Sequence, residues 1–411
     1  MAQTSPKDPI PTYQIDLSRP PETRYDEISR DFGPRMRSLQ GLFDEVLATF
    51  LPIAILRRTI ARVARLLVRR VYDEEEMLEL KGIARATGVE LYLLVTLNNL
   101  LDCLLGCTSG AAMVNPSKGR RKGVSPHLDE PRLMHFRTLD WGMDGLRDLL
   151  VILEFVDSRN SGSKVLARSI TYAGFVGTLT AVREDLSLSL NFRPNHVCST
   201  RTLRHHQLMV LLGRRRSVGS VLRSTILDTQ FDLADAAGVP GLIERANKLA
   251  GIQTAPCYLI LCDGSEVAVL EKDFTTGKVR SSKDFMVHTN HDVDHPINPN
   301  PKEYSDSSML GHEEWLEEST HRKECFEMKW ARHCKKCQTN SLQGDDGIKL
   351  TTIESSSSRG TSAVYPVEEP TLKRWVRSGT TMAECTHFAC IMDPGSGQIR
   401  WIQRGPVAQE E

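Results

Sequence analysis

Cys107 stands where a helical pattern gives way to a strand-like one, in the stretch LLGCTSGAAM at residues 104–113. If the Gly106–Cys107 peptide bond were cut, this cysteine would carry both a thiol and an α-amine. A free α-amine has a pKa of about 8, so Cys107 could then supply a nucleophile and its general base. The thiol could make the cut itself, because Gly106 has no side chain to shield its carbonyl. The alternative is an ordinary buried thiol, the usual fate of a free cysteine.

Arg137 and Asp140 are the charged pair of the next polar stretch, HFRTLDW at residues 135–141. A spacing of three puts their side chains on opposite faces of a strand. A turn or bulge after Thr138 would let both reach one site. The alternative is a surface ion pair, which contributes little to stability.

The stretch VHTNHDVDH at residues 287–295 combines histidine, aspartate and asparagine side chains. Asn290 is of the type that donates an amide N–H to a developing oxyanion, a contribution of roughly 10²- to 10³-fold in rate. The histidines and aspartates could instead bind a metal, but their spacing fits no ligand template. The Cys334–Cys337 pair lacks the second ligand pair of a zinc site, so we predict no metal and no cofactor.

Composition limits the class of protein. The 411 residues are 40% hydrophobic and 25% charged, with 52 basic and 52 acidic side chains. These values fit a globular protein and argue against nucleic-acid binding through a basic field.

The best apolar stretch, residues 91–105, is too short and too polar to span a membrane. The first twenty residues lack the apolar run of a secretory signal. We therefore expect a cytoplasmic or peripheral membrane protein with mostly reduced cysteines, a lysosomal or vacuolar location remaining open.

An arginine-rich face follows the predicted helix at residues 53–71. Apolar residues recur at helical spacing on the other side, and no acidic residue lies inside the segment. The arginines could lie against an anionic membrane surface or simply face water. The four candidate membrane contacts are Arg58, Arg62, Arg65 and Arg69.

The periodicity of the chain divides it into helical and strand-rich blocks. Residues 1–24 predict an extended lead-in and residues 25–106 a helical segment, after which short β-rich runs follow. A helical block over 218–249 and a last hairpin around 393–397 complete an α+β pattern of stacked sheets covered by helices. Two turn-rich or low-complexity stretches predict flexible inserts, at residues 115–131 and 338–370.

Five motifs in this order resemble the family of acid ceramidase and N-acylethanolamine acid amidase, N-terminal-nucleophile cysteine hydrolases related to the choloylglycine (bile-salt) hydrolases. The motifs are ARATGVELYLLVTLNNLLDCLLGCTS, HFRTLDWG, YAGFVGTLTAV, SLNFRP and HTNHD. The resemblance extends with gaps from about residue 25 to residue 406.

The resemblance implies a four-layer αββα fold with an N-terminal helical arm, and cleavage between Gly106 and Cys107. The products would be a helical α-subunit ending at residue 106 and a catalytic β-subunit of residues 107–411, held together as a heterodimer. It also implies that Cys107 is the nucleophile of a six-residue site. The other members are Arg137 and Asp140, which position the amine and thiol, the oxyanion residue Asn290, a second active-site asparagine, Asn191, and Arg322.

The function implied is hydrolysis of the amide bond of ceramide to a sphingoid base and a free fatty acid. Such a substrate would bring the enzyme to a membrane surface. Two alternatives stay open: the same fold acting on N-acylethanolamines or another small amide, and an uncleaved lipid-binding homologue without activity. A papain-like site fits poorly, because no histidine is identifiable as a partner of Cys107.

Overall fold

The computed structural model describes residues 9–37, 62, 64–100, 106–115, 130–160, 164–194, 197–227, 241–294, 312–342, 351–352 and 363–406. Within them the α-helices are α1 (Asp26–Met36), α2 (Glu74–Thr87), α3 (Leu91–Leu100), α4 (Thr200–Leu211), α5 (Val218–Leu227), α6 (Leu242–Gly251), α7 (His312–Leu342) and α8 (Glu369–Val376).

The β-strands of the described residues form two large sheets and one short pair. The strands are β1 (Thr12–Asp16), β2 (Gly106–Asn115), β3 (Arg132–Asp140), β4 (Leu150–Val156), β5 (Val165–Tyr172), β6 (Thr180–Arg183), β7 (Leu186–Phe192), β8 (Cys257–Cys262), β9 (Val267–Lys272), β10 (Gly277–Ser282), β11 (Phe285–His288), β12 (Thr351–Thr352), β13 (Ala363–Val364), β14 (Val367–Glu368), β15 (Thr386–Asp393) and β16 (Gln398–Arg404).

The larger sheet has eight strands in the order β1-β4-β5-β6-β7-β8-β9-β10, and the smaller has the order β11-β2-β3-β15-β16, with β14 beside β2. Neighbouring strands are antiparallel except for the β1–β4 and β14–β2 pairs. In the larger sheet most neighbours are joined by short connections, whereas in the smaller sheet only β15 and β16 are joined by a tight turn.

The two sheets pack face to face, and helices cover their outer faces. Between the sheets, Ala111 and Met113 of β2 pack against Tyr258 and Ile260 of β8. On the far side of β2, Ala112 packs with α7 and α8 side chains, while α5 and α6 contact strands of the larger sheet. Because both faces are covered, β2 and β3 are buried almost throughout and lack polar alternation. The predicted four-layer αββα fold is confirmed.

The N-terminal segment is part of this architecture. In TYQID the alternating residues Tyr13 and Ile15 are buried, and β1 pairs in parallel with β4 as an edge strand of the larger sheet. The predicted lead-in thus contains a strand integrated into the sheet. Helix α2 begins where the Asp73 carboxylate accepts N–H bonds from the first turn. It ends before Gly88, whose φ of 74° suits glycine.

A buried ion-pair cluster joins the N-terminal segment to the rest of the protein. Glu79 of α2 is fully buried and accepts hydrogen bonds from Arg24 and from Arg223 of α5. Arg223 also donates to the carbonyl of Val176, and Asn98 of α3 donates to the carbonyl of Gly174. Buried charges of this kind need paired partners to offset their loss of water, so the cluster fixes how α2 sits on α5.

Several elements differ from the sequence-based predictions. The predicted insert at 338–370 begins inside α7, which continues to Leu342, and its last residues form β13, β14 and the start of α8. Of the insert at 115–131, residues 116–129 lie outside the described residues. The long α7 and the helix α4 were not predicted, since their apolar positions are interrupted by many charged residues. The predicted block at 218–249 comprises two helices, α5 and α6.

Candidate active site

Cys107 lies second in β2, opposite Leu139 of β3, with its side chain directed between the two sheets. It is fully buried. Its backbone N–H donates to Oδ1 of Asn290 at 2.8 Å, and its Sγ accepts a hydrogen bond from Nη2 of Arg137 at 3.1 Å. The nitrogen and the sulfur of one residue are therefore held by two different side chains.

The Arg137 guanidinium is buried beside the thiol and is itself anchored by the larger sheet. It donates to the carbonyls of Leu179 and Leu190, at 2.5 and 2.6 Å, and to Thr180 Oγ1 at 2.7 Å. Burial raises the pKa of the Cys107 thiol, while the positive charge of Arg137 lowers it. Arg137 thus favours the thiolate form at a position where burial alone would suppress it.

The Asp140 side chain lies on the face of β3 opposite to that of Arg137. The expected bulge after Thr138 is absent: β3 pairs with β2 in continuous register, and the irregularity falls in β15 between Thr386 and Phe388. Arg137 and Asp140 therefore keep the opposite orientations of a regular strand. Asp140 lies across the ladder from Gly106, so the pair reaches the Gly106–Cys107 bond from two sides.

The Asp140 carboxylate is enclosed by donors from two elements. Arg322 of α7 donates to Oδ2 at 2.9 Å, and Thr386 of β15 donates through its hydroxyl to Oδ1 at 2.6 Å. Burial raises the pKa of Asp140, and both the Arg322 charge and the Thr386 hydrogen bond oppose that rise. Asp140 makes a direct ion pair with Arg322, so the alternative of an Arg137–Asp140 surface ion pair is wrong.

Arg322 connects the carboxylate to the asparagine of the site. Its Nη2 donates to Oδ1 of Asn290 at 3.3 Å, and its Nη1 also donates to Thr108 Oγ1 at 3.1 Å. Oδ1 of Asn290 thus accepts from both the Cys107 nitrogen and the Arg322 guanidinium. Because an acceptor between two donors must be the oxygen, the orientation of the Asn290 amide is fixed.

Asn290 is held from the remaining sides by the backbone of β7 and by α7. Its Nδ2 donates to the carbonyl of Phe192 at 2.9 Å, and its backbone N–H donates to Ser319 Oγ at 2.9 Å. An amide in this position can donate to an oxyanion formed beside Cys107. That catalytic role stays a prediction.

Asn191 supports the site from one residue further away. Its Nδ2 donates to the carbonyls of His288 and Thr289, at 3.3 and 3.1 Å, and its Oδ1 accepts from Ser109 Oγ at 2.8 Å. These bonds tie the segment before Asn290 to β7. The structure therefore brings Arg137, Asp140, Asn290 and Arg322 around Cys107, and places Asn191 behind Asn290.

Three residues that contact the site were not predicted from the sequence. Thr108, Ser319 and Thr386 contact Arg322, Asn290 and Asp140 respectively. Ser319 lies one helical turn before Arg322, the i, i+3 spacing that puts two side chains on one helix face. The spacing of Ser319 and Arg322 could have predicted that both side chains face the site, but only if α7 had been recognised as a helix.

No metal site accompanies these residues. Over the described part of the chain, no group of three or more histidine, cysteine, aspartate or glutamate side chains is arranged to hold a metal ion. Cys334 and Cys337 both lie on α7, where Cys337 is 3.6 Å from His333. His291 contacts the hydroxyls of Thr289 and Ser319, so its ring takes part in hydrogen bonding.

The predicted membrane-contact arginines are only partly described. Arg58 lies outside the described residues. Arg62 and Arg69 are exposed, while Arg65 pairs with Glu90 at 2.9 Å. The helix ends at Leu67, four residues earlier than predicted, and Leu67 is 54% exposed instead of facing the core. Among the described helices, none has the length and apolar character needed to cross a membrane.

This chain is similar to acid amidases and acid ceramidases. A family model described as the beta subunit of N-acylethanolamine-hydrolyzing acid amidase matches residues 8–72. The acid ceramidases of Pan troglodytes and Homo sapiens are 31% and 30% identical over 196 and 195 residues, and that of Heterocephalus glaber is 29% identical over 201. Each match covers 45% of this chain and 46% of the relative. The chain therefore spans less than half the length of the curated relatives it matches.

A solved structure of the Caenorhabditis elegans N-acylethanolamine-hydrolyzing acid amidase ortholog aligns with a TM-score of 0.40 and 17% identity, over 70% of this chain and 93% of that chain. The resemblance seen in the motifs is confirmed by the sequence relatives. The family model places residues 8–72 in a beta subunit, whereas the resemblance implied an α-subunit for the helical segment ending at residue 106.

Replacing Arg322 with methionine should destabilise the protein more at pH 8 than at pH 5. The variant removes the cation that opposes the rise in the Asp140 pKa, so that pKa rises further. The cost of the buried carboxylate is full above the raised pKa and disappears as the group is protonated at lower pH. We expect a loss of about 3–5 kcal/mol in the free energy of unfolding at pH 8, measured by urea denaturation, and a smaller loss at pH 5.

The double variant Arg322→Met/Asp140→Asn is the control, because it has no carboxyl to titrate at this position. Its free energy of unfolding should therefore change less between pH 5 and pH 8 than that of the single variant. A pH-independent deficit in the single variant would show that Asp140 is not the group balanced by Arg322.

Proposed function

From the premise that the chain is a relative of the acid ceramidases and N-acylethanolamine acid amidases, we propose that it is a self-cleaving thiol amidohydrolase of lipid amides. The proposal rests on two hydrogen bonds to Cys107. Its backbone nitrogen donates to Asn290, and its sulfur accepts from Arg137. A structural cysteine needs neither contact. A residue that must act through both atoms needs both of them fixed.

The first reaction is cleavage of the chain. The Cys107 sulfur attacks the carbonyl carbon of Gly106 and forms a thioester, while the Cys107 nitrogen leaves as an amine that takes up the thiol proton. Water then hydrolyses the thioester, which yields the Gly106 carboxylate and regenerates the thiol. The Asp140–Arg322 pair lies beside this bond, on the face opposite Arg137.

The second reaction is turnover. The Cys107 α-amine takes the thiol proton, and the thiolate, favoured by Arg137, attacks the carbonyl carbon of the substrate amide. Asn290 donates to the oxyanion, and the protonated α-amine passes its proton to the leaving amine as the C–N bond breaks. Water hydrolyses the resulting thioester and releases the fatty acid.

Ceramide is the substrate class we favour, since acid ceramidases match about 200 residues of this chain at about 30% identity. One specific observation supports the alternative of an N-acylethanolamine, namely the match of residues 8–72 to the amidase family model. The two substrates share the acyl amide that reacts and differ in the leaving amine.

Purified wild-type protein should convert on incubation to two fragments, the second beginning at Cys107. Cys107→Ala should stay whole, because it has no sulfur to attack Gly106. The matched control is Cys262→Ala, which removes another fully buried thiol and should still be cleaved. Intact-mass spectrometry and N-terminal sequencing measure the outcome. A wild-type chain that remains whole would favour the uncleaved lipid-binding alternative.

The cleaved protein should hydrolyse N-palmitoylsphingosine faster than N-palmitoylethanolamine, with a ratio of kcat/KM above tenfold. Free palmitate, quantified by mass spectrometry for both substrates, gives the two rates. Cys107→Ala supplies the background for each. The opposite ratio would assign the chain to N-acylethanolamines, and no release from either would contradict the enzymatic proposal.

We further propose that the protein works at a membrane surface, which would give it access to such a substrate. The support is the exposure of Arg62 and Arg69 next to Leu66 and Leu67, which are 63% and 54% exposed. Cationic side chains around exposed leucines are typical of segments that lie on anionic membranes.

Arg62→Glu/Arg69→Glu should therefore weaken co-sedimentation with anionic phosphatidylserine liposomes at low salt, since it reverses two charges on this face. Arg30→Glu, an exposed charge reversal on α1, should bind like the wild-type protein. Failure of the wild-type protein to co-sediment, or equal binding by all three, would remove the membrane proposal.

A further inference from the structure

A second buried ion pair lies next to the catalytic asparagine and has no part in the reaction proposed above. Arg193 follows β7, and Asp292 lies two residues after Asn290. Their side chains make a two-bond contact, Nε to Oδ1 at 2.8 Å and Nη2 to Oδ2 at 2.7 Å. Each side chain is 7% exposed. A planar fork of this kind is stronger and more directional than neutral hydrogen bonds.

Tyr258 completes the contact from β8. Its hydroxyl donates to Oδ1 of Asp292 at 2.7 Å, and the Arg193 guanidinium lies 5.6 Å from the centre of its ring. The Tyr258 ring also packs edge-on against His288, with ring centres 4.2 Å apart. The ion pair is thus built into the larger sheet and is not a loose surface contact.

The pair joins the two segments between which Asn290 is held. Phe192, the residue before Arg193, provides the carbonyl that accepts from Asn290 Nδ2. A change in the distance between the end of β7 and the segment containing Asp292 would break this bond. The Nδ2 group would then move away from the place where an oxyanion forms beside Cys107. Neutral bonds made by Asn191 also cross this gap.

We propose that Arg193 and Asp292 are positioning residues of the Cys107 site, whose ion pair holds Asn290 in its working orientation. This inference rests on the proposed function, because it assigns the pair a role in that same reaction. Neither residue touches Cys107 in any described contact. Their effect is transmitted through Phe192 and Asn290.

The test compares two isosteric variants, Asp292→Asn and Asp393→Asn. Asp393 makes an equivalent buried fork with Arg132, Nε to Oδ1 at 2.8 Å and Nη2 to Oδ2 at 2.6 Å, and also accepts from a hydroxyl, that of Ser396. Arg132 is seven residues along β3 from Leu139, the partner of Cys107, or roughly 23 Å. The control therefore removes the same charge from the same geometry far from the site.

Both variants should lower the urea midpoint of unfolding to a similar extent. Only Asp292→Asn should lower kcat for N-palmitoylsphingosine and N-palmitoylethanolamine, by roughly 10- to 100-fold per cleaved molecule, with KM within about twofold. Cleavage at Gly106–Cys107 should slow in the same variant, since Asn290 also holds the Cys107 nitrogen. Asp292→Glu, which restores the charge, should recover part of kcat.

Hydrogen–deuterium exchange provides a readout that does not need activity. Exchange in the peptide spanning residues 286–294 should rise in Asp292→Asn and stay at the wild-type level in Asp393→Asn. Unchanged exchange there, or equal kcat losses in the two variants, would overturn the positioning role. If the wild-type protein turns over neither substrate, the proposed function fails, and exchange alone decides whether the ion pair holds the Asn290 segment.

Discussion

The buried guanidinium of Arg137 is the constraint on which the candidate site depends. A cation between two packed sheets is tolerated only if surrounding groups replace its water. The larger sheet provides these groups as the carbonyls of Leu179 and Leu190 and the Thr180 hydroxyl. Within the smaller sheet, Arg137 donates to the Cys107 sulfur. The contacts that hold Arg137 between the sheets therefore also position the Cys107 thiol.

The second arginine of the site lies on the other face of the smaller sheet. Arg322 reaches Asp140 and Asn290 from α7, so it acts on the nitrogen side of Cys107, whereas Arg137 acts on the sulfur side. Regular alternation along β3 makes this division possible, because Arg137 and Asp140 leave the strand in opposite directions. An inserted bulge would have brought both charges to one side and left Arg322 without its carboxylate partner on the other face.

Much of this arrangement could be predicted from the sequence, and the rest depended on tertiary contacts. The strand runs and the helix-to-strand change at Cys107 follow from periodicity, and the order of the motifs indicated the layered fold. Nothing local could show that α7 is a helix of 31 residues, which is what places Ser319 and Arg322 against Asn290. Asn191 was expected as a second active-site asparagine, but the sequence could not show that its amide donates to the backbone of residues 288 and 289.

The contacts to Cys107 are made with the Gly106–Cys107 bond intact, when its nitrogen is an amide with a single hydrogen to donate. Asn290 Oδ1 accepts that hydrogen. If the bond is cut as proposed, the nitrogen becomes an amine that keeps a hydrogen for the same acceptor and gains a lone pair. Because Asn290, itself held by Arg322, would still accept that hydrogen from one side, the lone pair would be free to take the thiol proton. A single set of contacts then serves both reactions, which explains why the segment bearing Asn290 is fixed by charged as well as neutral bonds.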